Sequence, residues 1–335
     1  MNTKKAIASN NWQKILLNSV TNLQDLLGIL NLKTTDFKSK PIDIKHFPIR
    51  VPKNYIKNMN YQDPKDPLLL QILPTKDELI KKSSFSNDPL FETNYNPLPG
   101  VLHKYHGRAL ILFNRNCAIN CRFCFRKYFP YHTNQINHKD YNNIIKYINN
   151  DSSLYEIILS GGDPLLSDDK TLINVINIIS NIPHVKTIRI HSRMPIVIPE
   201  RITNNFINKL SKIKIPIILI VHSNHPNEIN NIVIEKMKLL KKKGVHLLNQ
   251  TVLLKQINDN AKTLINLSYR LLEANILPHY LHMPDSVAGN HKFNVNKTKA
   301  IQIYKELLTQ LPGYLVPKLT KEIPGVPFKV PLSVS

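Results

Sequence analysis

Cysteine is scarce in this sequence: there are three in 335 residues, all between positions 117 and 124. Three thiols cannot pair completely, and their tight spacing suits metal binding better than a disulfide framework. No stretch approaches the roughly 20 uncharged apolar residues of a membrane-spanning helix. The opening, Met1-Asn-Thr-Lys-Lys-Ala-Ile-Ala-Ser-Asn-Asn-Trp12, lacks the apolar centre of a secretory signal, so a cytoplasmic location is expected. Acidic side chains are also few, 23 against 45 Lys and Arg, giving a formal net charge of +22. Nucleic-acid binding needs such charge clustered on one face. Here the lysines are spread along the chain among many Asn and Ile. The densest run, Lys241-Lys242-Lys243, closes a helical pattern where cations favour the macrodipole. Nucleic acid is therefore not expected as a partner, whereas an acidic protein remains open.

What the chain does have is a substantial apolar fraction, 42%, and length enough for one large α/β domain or two smaller ones. Residues 13–30 predict an amphipathic helix, with Ile15, Leu16, Val20, Leu23, Leu26, Leu27 and Leu30 at helical spacing. From Pro41 to Pro99 the chain is punctuated by proline and reads as an extended wrapping segment. Beyond residue 109 apolar runs at 109–114, 156–160, 187–191, 217–222, 246–253 and 278–283 alternate with helical patterns near 139–149, 168–180, 200–212, 229–243 and 260–274. Six strands alternating with helices predict a parallel sheet with right-handed crossovers, a partial (β/α)6 barrel. The expected division is an N-terminal segment over 1–100, the α/β core over 101–290, and a C-terminal helix and tail over 291–335. In such barrels chemistry collects at the strand ends. Those ends carry the cysteine loop, Gly161-Gly162-Asp163, His191-Ser192-Arg193, His222-Ser223-Asn224, Asn249-Gln250 and Asp285.

The loop Cys117-Ala-Ile-Asn-Cys121-Arg-Phe-Cys124 supplies three thiolates. A four-iron cluster needs four ligands, so this spacing leaves one iron open to a small molecule. A zinc site is the competing reading; it wants a fourth protein ligand, for which His132 is the nearby candidate. Leu159-Ser160-Gly161-Gly162-Asp163-Pro164 follows one strand later, and on its own is an ordinary strand-to-helix turn.

With these two motifs in this order, the chain resembles the radical S-adenosylmethionine superfamily. That resemblance implies a [4Fe-4S] cluster on Cys117, Cys121 and Cys124, and S-adenosylmethionine against Gly161, Gly162 and Asp163. Further stretches sharpen it: Phe47-Pro-Ile-Arg-Val-Pro52, Asn96-Pro-Leu-Pro-Gly-Val-Leu-His-Lys-Tyr105, Cys121-Arg-Phe-Cys-Phe-Arg126, Ile188-Arg-Ile-His-Ser-Arg-Met-Pro195 and His225-Pro-Asn-Glu228. Over nearly its whole length the sequence is similar to the lysine 2,3-aminomutase family. The resemblance implies pyridoxal 5′-phosphate on Lys329 and migration of an amino group between adjacent carbons, started by an adenosyl radical. It implies Arg126 for the substrate carboxylate, Asp285 and Glu322 for the distal ammonium of lysine, and Lys104, Tyr105 and Arg108 near the cofactor phosphate. The tail, ending six residues after Lys329, resembles the short branch that makes (R)-β-lysine for a ligase acting on elongation factor P. A flavodoxin- or ferredoxin-type reductant is implied as well. The rival readings are a mutase for another amino acid and a non-catalytic metal-binding protein with a basic partner surface.

Overall fold

The computed structural model of the chain describes residues 11–134, 136 and 138–333. The opening run Met1–Asn10, read above as lacking a signal, lies outside the described residues. Among the described residues nine strands form one sheet in sequence order: β1 (Val101–Tyr105), β2 (Arg108–Asn114), β3 (Glu156–Gly161), β4 (Thr187–Ser192), β5 (Ile217–His222), β6 (His246–Val252), β7 (Leu277–His282), β8 (Lys318–Lys321) and β9 (Val330–Pro331). Pairings from β2 to β8 are all parallel, while β1 and β9 pair antiparallel at the two ends. The expected partial barrel is present, extended by one further parallel strand and a hairpin at each edge. β1 is not paired with β9 among the described residues, so the sheet is open.

Each parallel step needs a crossover. Helices His138–Asn150, Asp169–Ser180, Asn204–Leu210, Asn231–Lys242, Ala261–Glu273 and Lys297–Gln310 provide them. Five of the six begin on a side chain that accepts from a first-turn N–H: Asp168, Thr203, Asn230, Asn260 and Asn296. Each cap contributes on the order of 1 kcal/mol and fixes where its helix starts. The pattern expected over 200–212 begins only at 204 for this reason.

Along β4 the period of two is explicit. Ile188 and Ile190 are fully buried toward the helices, while Arg189 and His191 point to the half-buried inner face. Across that inner face His191 meets His222, Gln250 donates toward His222 at 2.6 Å, and Tyr280 packs on His282. Polar side chains there are what a lined chamber requires, and a packed apolar core would not place them together.

The single helix expected over 13–30 is two helices, Asn11–Leu17 and Leu23–Leu30. Between them Val20 forms a two-way backbone bridge with Val51, and Asn22 caps the second helix. Tertiary pairing overrides the periodic pattern. Leu26, Leu68, Leu69 and Ile72 from this region share one core with Ile157, Ile188 and Leu219 of the sheet. No helix among the described residues is long and apolar enough to cross a membrane.

A buried charge knot joins three distant segments. Glu78 receives Arg122 at 2.6 Å, Lys127 at 3.0 Å and Lys292 at 3.3 Å. Arg122 belongs to the cysteine loop, and Lys292 to the loop after β7. Burial alone would raise the Glu78 carboxyl; Arg122, Lys292 and Lys127 outweigh it and bring it to about 2. Replacing Glu78 by Gln strands three buried cations, so we expect a loss on the order of 3–5 kcal/mol, read from urea unfolding near neutral pH. Because the folded value is depressed, this stabilisation is full above the ordinary carboxylate range and fades as pH falls towards about 2. The difference between wild type and Glu78→Gln should shrink over that window; a constant gap would count against the knot.

Candidate active site

The cysteine loop leaves the end of β2 with little regular structure. Backbone bonds to the N-terminal segment hold it: Asn120 N donates to Arg50 O at 3.1 Å and Arg122 N to Gln71 O at 2.8 Å. Cys117, Cys121 and Cys124 are all half-buried and none is in a disulfide. Burial pushes the Cys117 thiol well above its usual range, with Asp163 and the other two cysteines adding to the shift. Burial, then Cys121, pushes Cys124 up to about 11. The three sulfurs therefore sense one another's charge, and as thiolates they require a positive centre between them. Among the described residues no three His, Cys, Asp or Glu side chains are placed to hold a single metal ion. A four-iron cluster asks instead for one thiolate on each of three irons, which this donor set fits. His132, the candidate fourth zinc ligand, is exposed.

The glycine turn after β3 is pressed against this loop. Gly161 has φ +107°, and a Cβ there would lie 2.6 Å from Asn114 O. A Cβ on Gly162 would lie 2.4 Å from Asn116 O, one residue before Cys117. Gly162 N donates to Asn114 O at 2.5 Å and Asp163 N to Asn116 O at 2.8 Å. The close approach that demands glycine is to the chain's own cysteine loop. The carboxylate of Asp163, expected at the cofactor, is filled from within by Leu165 N at 3.0 Å, Ser192 Oγ at 2.7 Å, and Arg193 N and Met194 N, each at 2.9 Å.

At the other edge of the sheet, β8 and β9 pair Lys321 with Val330. The next pair outward is Glu322 and Lys329, whose carboxylate and ammonium meet at 2.7 Å. Lys104 and Tyr105, expected near a phosphate, hold the other carboxylate oxygen of Glu322 at 3.0 and 2.7 Å. Burial would raise the Glu322 carboxyl, but Lys329, then Lys104 and Tyr105, hold it well below the carboxylate range. Asp285 has no ion pair among the described residues. Burial, then the charge of Glu322, pushes it up to about 7.

Arg108 lies over the Tyr105 ring, its Cζ 5.2 Å from the centroid. The Nε atoms of Arg108 and Arg189 and Nε2 of His191 are buried without partners. Such donors on the inner face fit a phosphate, and His191 senses the charge of both Arg189 and Lys329.

Arg126 is nearly buried, and its Nε and Nη2 form a two-pronged bond with Glu92 at 2.7 and 2.6 Å. Its Nη1 points to Ser160 Oγ at 3.4 Å, toward the end of β3. Glu92 was not singled out from the sequence, and nothing local marks it. Its turn is set by Asp88, which accepts from Glu92 N at 3.0 Å and from Thr93 N at 3.3 Å.

A family profile described as the radical SAM superfamily matches residues 111–267. An L-lysine 2,3-aminomutase of Buchnera aphidicola is 47% identical, covering 97% of this chain and 96% of that protein. One from Escherichia coli is 44% identical over 96% of this chain and 94% of its own length. One from Clostridium subterminale is 33% identical over 96% of this chain, but only 78% of the relative is matched.

The contact between the glycine turn and the cysteine loop yields a prediction. Gly162→Ala forces apart two backbones with no flexible side chain between them, a destabilisation on the order of 1–3 kcal/mol. After anaerobic reconstitution the variant should hold markedly less iron per chain than wild type. Full iron loading with an unchanged melting temperature would contradict this coupling.

Proposed function

The chain belongs to the lysine 2,3-aminomutase family of radical S-adenosylmethionine enzymes, and we propose that it converts L-lysine to (R)-β-lysine. The observation that carries this reading is the gathering of Lys329, Glu322, Asp285 and the Glu92–Arg126 pair within reach of one another's charge. We assign Cys117, Cys121 and Cys124 to the cluster, the Gly161–Gly162 turn to S-adenosylmethionine, and Lys329 to pyridoxal phosphate. Together these groups supply an adenosyl radical and a carbonyl that captures an amino group.

The chain's own residues bind and orient. Glu92 takes the Nε–Nη2 edge of Arg126, leaving the Nη1 end for a substrate carboxylate, a match that guanidinium geometry favours. Asp285 receives the distal ammonium, and a cation there offsets the burial that otherwise disfavours its charge. Glu322 fixes Lys329 Nζ in place at 2.7 Å; a proton must leave that nitrogen before it acts as a nucleophile. His222 is lowered to about 3 by burial and then by Arg193 and Arg126. It therefore faces the chamber as a neutral ring. Arg108 would hold the cofactor phosphate, while Lys104 and Tyr105 are engaged on Glu322.

Matching at 94–96% of the relative's length in Escherichia coli and Buchnera, against 78% in Clostridium, supports the short branch. On that reading β-lysine passes to a ligase that modifies elongation factor P. A small acidic reductant of the flavodoxin or ferredoxin kind would suit a chain of net charge +22.

The direct test is anaerobic assay of the reconstituted enzyme with L-lysine and L-glutamate. Turnover of lysine, abolished in Lys329→Ala together with the pyridoxal absorbance band, is expected. A fully loaded protein that forms no β-lysine would overturn the proposal.

The raised Asp285 gives a second outcome. Below about 7 its carboxyl is protonated in the free enzyme, so kcat/KM for lysine should fall as pH drops through that value. Asp285→Asn should lower kcat/KM and erase the inflection; an inflection that persists in the variant would assign it elsewhere.

A further inference from the structure

Two stretches that matched the family, Ile188-Arg-Ile-His-Ser-Arg-Met-Pro195 and His225-Pro-Asn-Glu228, contain an arginine and a glutamate whose side chains have so far no task in the proposed reaction. They meet at Arg193, immediately after β4. Its backbone is pinned by Asp163, and its side chain is buried, 8% exposed. Nη2 donates to Glu228 Oε2 and Gln71 Oε1, each at 2.7 Å, and to Tyr55 Oη at 3.1 Å. Among the described residues Nη1 has a single partner, Cys121 Sγ, at 2.6 Å.

Glu228 is fully buried and itself saturated. Its Oε1 accepts from Asn224 N at 2.8 Å, His225 N at 3.0 Å and Gln71 Nε2 at 3.3 Å. The guanidinium is thus clamped at one end by groups from the N-terminal segment and the loop after β5, and its other end is aimed at one sulfur. Among the described residues neither Cys117 nor Cys124 accepts a bond from a cation at its sulfur. A tie meant only to join segments would be complete at Glu228, Gln71 and Tyr55. It would not need a buried cation directed at a thiol.

We propose that Arg193 sets the reduction potential of the iron–sulfur cluster by donating to the Cys121 thiolate, with Glu228, Gln71 and Tyr55 as the positioning residues that hold it there. Adding one electron makes the cluster sulfurs more negative. A fixed cation and an N–H donor at one of them stabilise the reduced form, and so raise the potential. The interaction lies in a region of low dielectric, where neither charge nor donor is replaced cheaply by water. The inference rests on the reading that Cys117, Cys121 and Cys124 hold the cluster.

The test is a redox titration, followed by electron paramagnetic resonance, of anaerobically reconstituted wild type, Arg193→Gln and Arg193→Lys, with iron and sulfide counted in each. Arg193→Gln should move the one-electron couple to more negative potential by at least 59 mV, a tenfold change in the reduction equilibrium. Arg193→Lys keeps the charge and loses the fork, and should shift the same way by less. The inference falls if Arg193→Lys and, where it loads, Arg193→Gln titrate at the wild-type potential with full iron. Should Arg193→Gln fail to fold around its unpaired Glu228, Arg193→Lys alone decides. A wild type that takes up no cluster would instead sink the assignment of the cysteines, a separate failure visible in the iron count.

Discussion

One carboxylate fixes the centre of this protein. Asp163 accepts from Leu165, Ser192, Arg193 and Met194, while its own N–H reaches back to Asn116 O at 2.8 Å. Through those bonds the end of β3, the end of β4 and the residue before Cys117 become a single unit. Burial raises this carboxyl, and Ser192 and the backbone donors act against the shift. Four donors on a buried acid leave it no room for another partner. What it does is shape the glycine turn, which lies against the cysteine loop through Gly162 N to Asn114 O and Asp163 N to Asn116 O.

The shortage of acids noted at the outset takes on meaning inside the fold. Of 23 Asp and Glu, Glu78, Glu228, Glu92 and Glu322 are drawn to the chamber wall or beneath it, each bound to Arg or Lys at 2.6–3.3 Å. Buried ion pairs are weak sources of net stability, but breaking one from a single side is costly. These pairs act as fasteners between distant segments: Glu78 with the cysteine loop, Glu92 with Arg126, and Glu228 with Arg193. The cations outnumber their acids around the cysteine loop. A site that must hold three thiolates close together needs that imbalance, and the N-terminal segment supplies much of the bonding that fixes it.

Much of the framework was legible in the chain because it is local. The six alternating strands and their crossover helices follow from apolar periodicity, whereas the exact helix starts are set by caps such as Thr203, which periodicity alone overruns. What escaped has a different physical origin. Val20 pairs with Val51, 31 residues away, and breaks a helix that periodicity alone continues. β8 and β9 are short edge strands, too brief for a clear pattern, although their hairpin explains why Lys329 follows Glu322 at a separation of seven. The cysteines and glycines could be read because ligand spacing and backbone approach leave local marks. Glu92 and the clamp on Arg193 leave none, since their partners lie 34 to 138 residues away.

The same separation governs how the chamber can discriminate among substrates. Arg126 stands near the cysteine loop at one edge of the parallel sheet, and Glu322 and Lys329 come from the hairpin at the other. On the proposed reading, a substrate must carry a carboxylate for the first and a cation for the second. Asp285 makes this second demand selective. With its charge disfavoured by burial and by Glu322, its carboxyl is pushed up to about 7 and is only partly ionised near neutral pH. A neutral or acidic side chain gains nothing from it, and an acidic one meets Glu322 as well. An ammonium, by contrast, draws the carboxyl into its charged form and recovers the attraction that burial had withheld. On that reading the cation completes the site that binds it, and the preference for lysine rests on an acid kept incompletely ionised until the right charge arrives.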